Sequence, residues 1–110
     1  MLLPECEEQL MVILWNSNES LTLFQLEDKA KKRFNKHWKI QTIATFMKRL
    51  ELKNFVKATK IKASNNRMYT HYDAIVSKDA YIRERFNEIC YLHFQNDIES
   101  MKQFVSENLG

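Results

Sequence analysis

Apolar side chains recur with a helical period between residues 39 and 54, and this segment constrains the fold more than any other. The i, i+3, i+4, i+7 spacing of an amphipathic helix is met by Ile43, Phe46, Met47 and Leu50. The opposite face of the helix, predicted over residues 40–53, carries short hydrogen-bonding side chains and cations, namely Gln41, Thr42, Thr45, Lys48 and, at its margin, Arg49. Such a face is typical either of an ordinary surface helix or of a helix that enters a DNA groove, where small polar groups meet base edges and cations meet phosphates.

The distribution of charge favours the second interpretation. Residues 29–62, which include the helix, contain twelve Lys or Arg and one acid, Glu51, and carry a net charge of +11. Residues 1–28 carry −6 and residues 63–110 carry −2, so the overall net charge of +3 conceals this partition. Positive charge concentrated around a polar helix indicates a surface that binds a polyanion.

Two further helices are predicted ahead of this one. Pro4 suits the first position of a helix over residues 4–16. Thr22 followed by Gln25 is a capping box that opens the second helix, whose C-terminal half is basic. Asn54 is an acceptable residue for the left-handed position that ends the third helix. Three helices with a short turn before the third have helix-turn-helix organisation.

After the third helix the pattern changes to the alternating, β-branched and aromatic residues of strands. Residues 55–62 and 68–72 are predicted to form a β-hairpin with a turn over residues 63–67. A hairpin that follows a helix-turn-helix is the wing of a winged helix. Cations near its tip would reach the DNA backbone or minor groove: Lys60, Lys62 and Arg67. The predicted fold is therefore mostly α with a small β-hairpin, and residues 1–74 are predicted to form a winged-helix DNA-binding domain.

Residues 75–110 are predicted to form a helical dimerisation segment. One helix covers residues 78–94, and Asn96 with Glu99 is a second capping box that opens another helix. Because the winged-helix core is supplied upstream, the apolar faces of these helices are expected to pack against a second copy in a two-fold homodimer. The residues assigned to this dimer interface are Tyr81, Ile82, Phe86, Ile89, His93, Ile98, Met101, Phe104 and Val105.

Other functional classes find little support in the sequence. Cys6 and Cys90 lie far apart, and His37, His71 and His93 lack metal-ligand spacing, so no metal and no cofactor are expected. No catalytic triad or paired-carboxylate motif is recognisable, and an enzyme is not expected. The sequence contains neither a run of about 18 apolar residues nor the features of a signal peptide, so a cytoplasmic protein with no membrane association is expected.

Three motifs carry a family resemblance. They are Leu3-Pro4-Glu5 with Leu14-Trp15, the spaced block Trp38-x-x-x-Thr42-Ile43-x-Thr45-Phe46-Met47-x-Arg49-Leu50-x-x-Lys53-Asn54, and Ser77-Lys78-Asp79-Ala80-Tyr81. Together they resemble the BlaI/MecI/CopY (penicillinase repressor) family of bacterial winged-helix transcriptional repressors. The resemblance implies a homodimer on a pseudo-palindromic operator, with one recognition helix in the major groove of each half-site. It also implies base-side contacts from Gln41, Thr42 and Thr45, and phosphate contacts from Lys39 and Arg49.

The chain departs from the family pattern at several positions. Lys39 stands where a helix cap would be useful. Ala44 lies between the two threonines, where the family often has a polar or basic residue, and it cannot make the contact of such a residue. The operator sequence is therefore expected to differ. Copper-responsive members carry a CxC-type motif that is absent here. Antibiotic-responsive members are inactivated when a protease cuts an Asn-Phe bond, for which the nearest equivalent is Gln103-Phe104. A regulatory protease is therefore a further candidate partner.

Two alternatives stay open at this point. A winged helix can use its basic face against an acidic protein partner, in which case it has no preference for a specific DNA sequence. A metal-responsive repressor of the copper type would use Cys6, Cys90 or a histidine and would bind Cu or Zn. Operator binding differs from the first alternative because it weakens steeply as the salt concentration rises and depends on sequence. Calorimetry that detects no binding of Cu or Zn would dismiss the second.

Overall fold

The computed structural model describes residues 2–110, which divide into two units. The first unit, Leu3–Lys78, contains three helices and three strands: α1 (Glu5–Trp15), β1 (Leu21–Thr22), α2 (Leu23–Phe34), α3 (Ile40–Leu52), β2 (Val56–Lys62) and β3 (Met68–Ala74). The second unit, Asp79–Gly110 together with Leu2, contains nearly all of α4 (Lys78–Phe94) and all of α5 (Ile98–Asn108). The expected mostly helical fold with a small hairpin is confirmed.

The start of α2 has the predicted capping box. The Thr22 hydroxyl accepts a hydrogen bond from the Gln25 amide at 3.3 Å, and Gln25 Oε1 accepts one from the Thr22 amide at 2.8 Å. Two amides that lack helical partners are thereby satisfied, which fixes where α2 begins. The short turn that follows α2 then leads directly into α3.

The end of α3 is set by Asn54, as predicted. Asn54 has a left-handed backbone with φ of 62°. The Phe55 amide donates to the Leu50 carbonyl at 2.9 Å, and the Asn54 amide donates to the Glu51 carbonyl at 3.0 Å. This pair of bonds is a Schellman motif, which closes the helix and turns the chain into β2.

The predicted hairpin is present, and it belongs to a three-stranded antiparallel sheet with the order β1-β3-β2. The turn between β2 and β3 is closed by a hydrogen bond of 2.8 Å from the Ala63 amide to the Arg67 carbonyl. The third strand, β1, was not predicted. Its second residue, Thr22, is also the cap of α2. Two residues are too few to show the alternation of apolar and polar side chains that identifies a strand. Leu21 of β1 lies opposite Tyr72 of β3, and both are buried.

The core of the first unit is formed by the apolar faces of its helices and sheet. Its most deeply buried members are Leu10, Met11, Leu21, Leu26, Ala30, Ile43, Met47, Leu50 and Val56. The Trp15 indole Nε1 donates to the Val76 carbonyl at 2.8 Å and thereby ties the end of α1 to the segment after β3. α3 is therefore fixed by its inner face, which leaves its outer face free for contacts with other molecules.

The second unit is a pair of helices joined by a tight reversal. Gln95 and Asn96 both have left-handed backbones, with φ of 54° and 64°. The prediction that Asn96 caps α5 is wrong, because Asn96 is used in this reversal. Asp97 is the cap, and its Oδ1 accepts from the Glu99 and Ser100 amides at 3.1 and 3.3 Å.

Within residues 2–110, no helix combines the length and the apolar character that crossing a bilayer requires.

Candidate nucleic-acid interface

The two faces of α3 are divided as the sequence predicts. Ile43, Met47 and Leu50 are buried, and Phe46 is half-buried. On the opposite face the exposed side chains are Gln41, Thr45, Lys48 and Arg49, and Thr42 is half-buried beside them. The polar groups predicted to meet DNA are therefore presented together along one side of a helix.

Thr45 makes a hydrogen bond within its own helix. Its Oγ1 donates to the Gln41 carbonyl oxygen at 3.0 Å. A hydroxyl has one proton to donate and two lone pairs, so this bond commits the proton and leaves the oxygen as an acceptor. Thr45 thus presents a methyl group and an acceptor to solvent, which suits an amino group of a base or the methyl of thymine.

Lys48 is paired with Glu51, the one acidic residue of the +11 segment. Its Nζ lies 3.2 Å from Glu51 Oε1 one helical turn away. The pKa of Tyr72 in β3 is raised by burial and, to a smaller extent, by the negative charge of Glu51. Glu51 therefore acts both on Lys48 in α3 and on Tyr72 in the neighbouring sheet.

The turn before α3 is anchored by aromatic packing. The Trp38 ring lies edge-on to the Phe46 ring, with centroids 5.5 Å apart and planes at 70°. Lys39 is the N-terminal residue that flanks α3, and its side chain makes no capping hydrogen bond to the described residues of the helix. The departure from the family pattern at Lys39 thus leaves a cation where a cap would otherwise be, at the end of the helix that favours anions.

A partly buried ion pair holds the other end of α3, and sequence reasoning missed it. Lys53, the residue after α3, places its Nζ 2.6 Å from Glu7 Oε1 of α1. The Glu7 side chain is only 3% exposed. The two residues are 46 positions apart, so no local pattern could reveal the contact. Lys53 is consequently part of the support of α3 and is not available as a free cation.

The register of the hairpin places the two wing lysines on one face. Lys60 lies opposite Thr70 and Lys62 lies opposite Met68, and residues two apart in a strand point to the same side. Both lysines are exposed, as is Arg67 in the turn. The three predicted wing cations are therefore all accessible.

The basic half of α2 is also exposed, but part of its charge is engaged locally. Lys32 Nζ lies 2.9 Å from Asp28 Oδ2. The Arg33 guanidinium lies over the Phe34 ring at 5.4 Å from its centroid. These contacts, together with the stabilisation of a helix C-terminus by cations, account for much of the basic sequence of α2.

Most of the residues predicted at a dimer interface are exposed in the single chain. They are Ile82, Phe86, Ile89, His93, Ile98, Phe104 and Val105, and Met101 is half-buried. Tyr81 differs from the others, because it is only 2% exposed in the single chain and little of its ring is accessible to a second copy. Leu92, which the prediction omitted, is 71% exposed on the same helix.

The histidines, cysteines and acids of residues 2–110 do not gather into a group of three or more that could hold a metal ion. Cys6 is half-buried, Cys90 is buried, and both are free thiols. The residues named for the copper-type alternative therefore do not belong to such a group in the described part of the chain.

Comparisons with known proteins agree with this architecture. The family described as penicillinase repressor matches residues 3–109. Among solved structures, one match is Bacillus subtilis PadR in complex with operator DNA, at a TM-score of 0.61 and 13% sequence identity. That match covers 76% of this chain and 47% of the PadR chain, so this chain spans about half the length of PadR, and at this identity the likeness shows the fold alone. A comparison with curated protein sequences returns no match.

Proposed function

Because the chain belongs to the penicillinase repressor family, we propose that it is a transcriptional repressor that binds operator DNA as a homodimer. The membership confirms the resemblance that the sequence motifs indicate, and it places the chain among regulators and not among enzymes. The fold is a winged helix, as in the PadR structure.

The observation that carries the proposal is the outer face of α3. It combines exposed Gln41 and Thr45, half-buried Thr42 and flanking cations within a segment of net charge +11. In the proposed complex α3 lies in the major groove, where these three polar side chains meet base edges. Lys39, Lys48 and Arg49 meet phosphates on either side of the groove.

The wing supplies a second set of backbone contacts. Lys60 and Lys62 share one face of the hairpin, and Arg67 lies at its tip. Because contacts to phosphate are independent of sequence, these residues contribute affinity and orientation, and α3 contributes specificity. Repression follows if the occupied operator overlaps a promoter.

A homodimer is supported by the exposed apolar residues of α4 and α5. Ile82, Phe86 and Ile89 recur at spacings of four and three, so they form a stripe along α4. A second copy related by a two-fold axis would cover this stripe with the same stripe of its own. Two recognition helices would then be presented to half-sites about one helical turn apart, as a pseudo-palindrome requires.

A regulatory protease and a cytoplasmic location complete the proposal. Gln103 and Phe104 are exposed, but they lie inside α5, so cleavage between them requires local opening of that helix. Cutting there would remove the last part of the second unit and weaken the dimer. Operator DNA lies in the bacterial cytoplasm, which is where we place the protein.

Selection of bound sequences from random DNA tests the proposed operator binding. We expect a pseudo-palindromic consensus, and the affinity for it should fall with salt with a log–log slope of several units. Lys60→Ala should lower affinity and reduce that slope by about 1, whereas Lys102→Ala, an equal change of charge in the second unit, should do neither. Equal binding of selected and random DNA would overturn the repressor proposal and favour an acidic protein partner.

Sedimentation equilibrium tests the proposed homodimer. Phe86→Asp places a charge in the exposed apolar stripe of α4 and should shift the protein towards monomer. Tyr91→Asp is the matched control, because Tyr91 is also exposed on α4 but lies on another side of the helix. An unchanged mass in Phe86→Asp, or an equal shift in both variants, would contradict the proposed interface.

A further inference from the structure

The tip of the wing is organised by one side chain, that of Asn65. We propose that Asn65 is a positioning residue, which holds Arg67 in place for contact with a DNA phosphate. The inference rests on the proposed function, because it assumes that the wing meets DNA. It adds a residue that carries no charge and that sequence patterns do not single out.

Asn65 makes hydrogen bonds to Arg67 at the end of the turn and to Tyr69 in β3. Its Oδ1 accepts a hydrogen bond from the Arg67 amide at 3.0 Å. Its Nδ2 donates to the Tyr69 hydroxyl at 3.2 Å. A backbone amide can only donate, so the bond to Arg67 determines which end of the Asn65 amide faces which partner. The contact with Tyr69 then keeps the carboxamide in that orientation.

The backbone of Arg67 is consequently fixed on both sides. Its amide bonds to Asn65, and its carbonyl accepts from the Ala63 amide at 2.8 Å. A further hydrogen bond of 3.0 Å joins the Asn66 amide to the Ala63 carbonyl, and Asn66 has a left-handed φ of 65°. The turn is thus a closed structure that fixes the backbone from which the exposed Arg67 side chain extends.

The effect on binding follows from conformational entropy. A mobile turn must be ordered when Arg67 meets a phosphate, and that ordering opposes binding. A turn that Asn65 has already ordered meets the phosphate without this penalty. Removing the Asn65 side chain should therefore weaken DNA binding even though Arg67 itself is unchanged.

A double-mutant cycle tests the inference. The dissociation constant for operator DNA is measured for Asn65→Ala, Arg67→Ala and the double variant. We expect losses of about five-fold for Asn65→Ala and about ten-fold for Arg67→Ala, with the double variant no weaker than Arg67→Ala alone. Tyr69→Phe should cause a smaller loss than Asn65→Ala, because it leaves the bond to the Arg67 amide.

Two further measurements separate positioning from other roles. The salt slope should fall by about 1 in Arg67→Ala and partly in Asn65→Ala. The midpoint of thermal unfolding should stay within a few degrees of the wild type in both. Ser64→Ala, an exposed neighbour in the same turn, should change neither the affinity nor the slope.

Each outcome is informative. Additive losses in the double variant would overturn the inference, since they would mean that Asn65 acts independently of Arg67, for example by its own contact with DNA. An unchanged affinity in Asn65→Ala would overturn it as well, while the proposed function would stand. Failure of the wild-type protein to prefer any DNA sequence would instead overturn the proposed function itself.

Discussion

Lys53 Nζ lies 2.6 Å from Glu7 Oε1, and this ion pair joins the end of the proposed recognition helix to the start of α1. The Glu7 side chain is 3% exposed and that of Lys53 is 29% exposed. A buried carboxylate is costly unless a cation or donors accompany it. The pair therefore does more than add a contact, because it makes the burial of Glu7 possible and sets where α3 ends relative to α1.

Replacing Lys53 with Met should destabilise the fold. The substitution leaves the buried Glu7 carboxylate without its cation, and we expect a loss of about 2 kcal/mol in the free energy of unfolding, since Lys53 is partly exposed. Urea denaturation at pH 7 measures it. Lys48→Met is the control, because it breaks the exposed pair with Glu51 and should cost less than about 1 kcal/mol. Glu7→Gln combined with Lys53→Met should cost less than the two single changes added together; simple additivity would argue against the pair.

Glu51→Gln should tighten DNA binding. The change releases Lys48 from its ion pair at 3.2 Å and removes the one acid of residues 29–62. We expect about three-fold higher affinity at low salt and a log–log salt slope steeper by about 1. Glu99→Gln is a matched control, because Glu99 forms an ion pair of the same spacing with Lys102 in the second unit. Since a misfolded variant cannot gain affinity, weaker binding by a folded Glu51→Gln protein would refute the placement of Lys48 near phosphates.

The cap of α5 should make stability depend on pH. The side-chain hydrogen bond from Ser100, followed by backbone hydrogen bonds, lowers the pKa of Asp97. A lowered pKa in the folded state means that this group stabilises the fold above its unfolded pKa and that the contribution is lost as the pH falls through the folded pKa. Asp97→Ala should therefore lower the melting temperature at pH 7 and have less effect in strong acid. Asp97→Asn keeps an acceptor without the charge, so its melting temperature at pH 7 should lie between those of the wild type and Asp97→Ala. Equal effects of Asp97→Ala at both pH values would contradict the assignment.

The parts of the fold that were predicted correctly depend on local patterns. The period of α3, the capping pair Thr22 and Gln25, and the left-handed Asn54 are each determined within a few residues of sequence. The exposed polar face of α3 follows directly from the position of its apolar face. The same logic predicted both strands of the hairpin and the accessibility of the wing cations.

The parts that were missed depend on the three-dimensional arrangement. Strand β1 exists because β3 has a free edge beside Leu21, and the Glu7–Lys53 pair exists because α1 and α3 are adjacent. At the reversal before α5, Asn96 and Asp97 are both plausible caps, and the left-handed backbone of Asn96 decides between them. Tyr81 has the same apolar character as its exposed neighbours, so only the folded chain distinguishes it from them.

Thr45→Ala should reduce specific binding more than non-specific binding. The Thr45 hydroxyl donates to the Gln41 carbonyl, so in the proposed complex it acts as an acceptor for a base and not as a donor to a phosphate. We expect a loss of about 1 kcal/mol for operator DNA and almost none for random DNA.

The measurement is a competition between operator and random DNA for Thr45→Ala, with Thr45→Ser alongside. Alanine favours a helix at least as well as threonine does, so a loss of affinity cannot be assigned to weakening of α3. Thr45→Ser keeps the acceptor and removes the methyl group, and its affinity separates the two contributions. Near wild-type specificity in Thr45→Ser would assign the contact to the oxygen, and a loss equal to that of Thr45→Ala would assign it to the methyl group. Equal losses on both DNAs would place Thr45 away from the base edges.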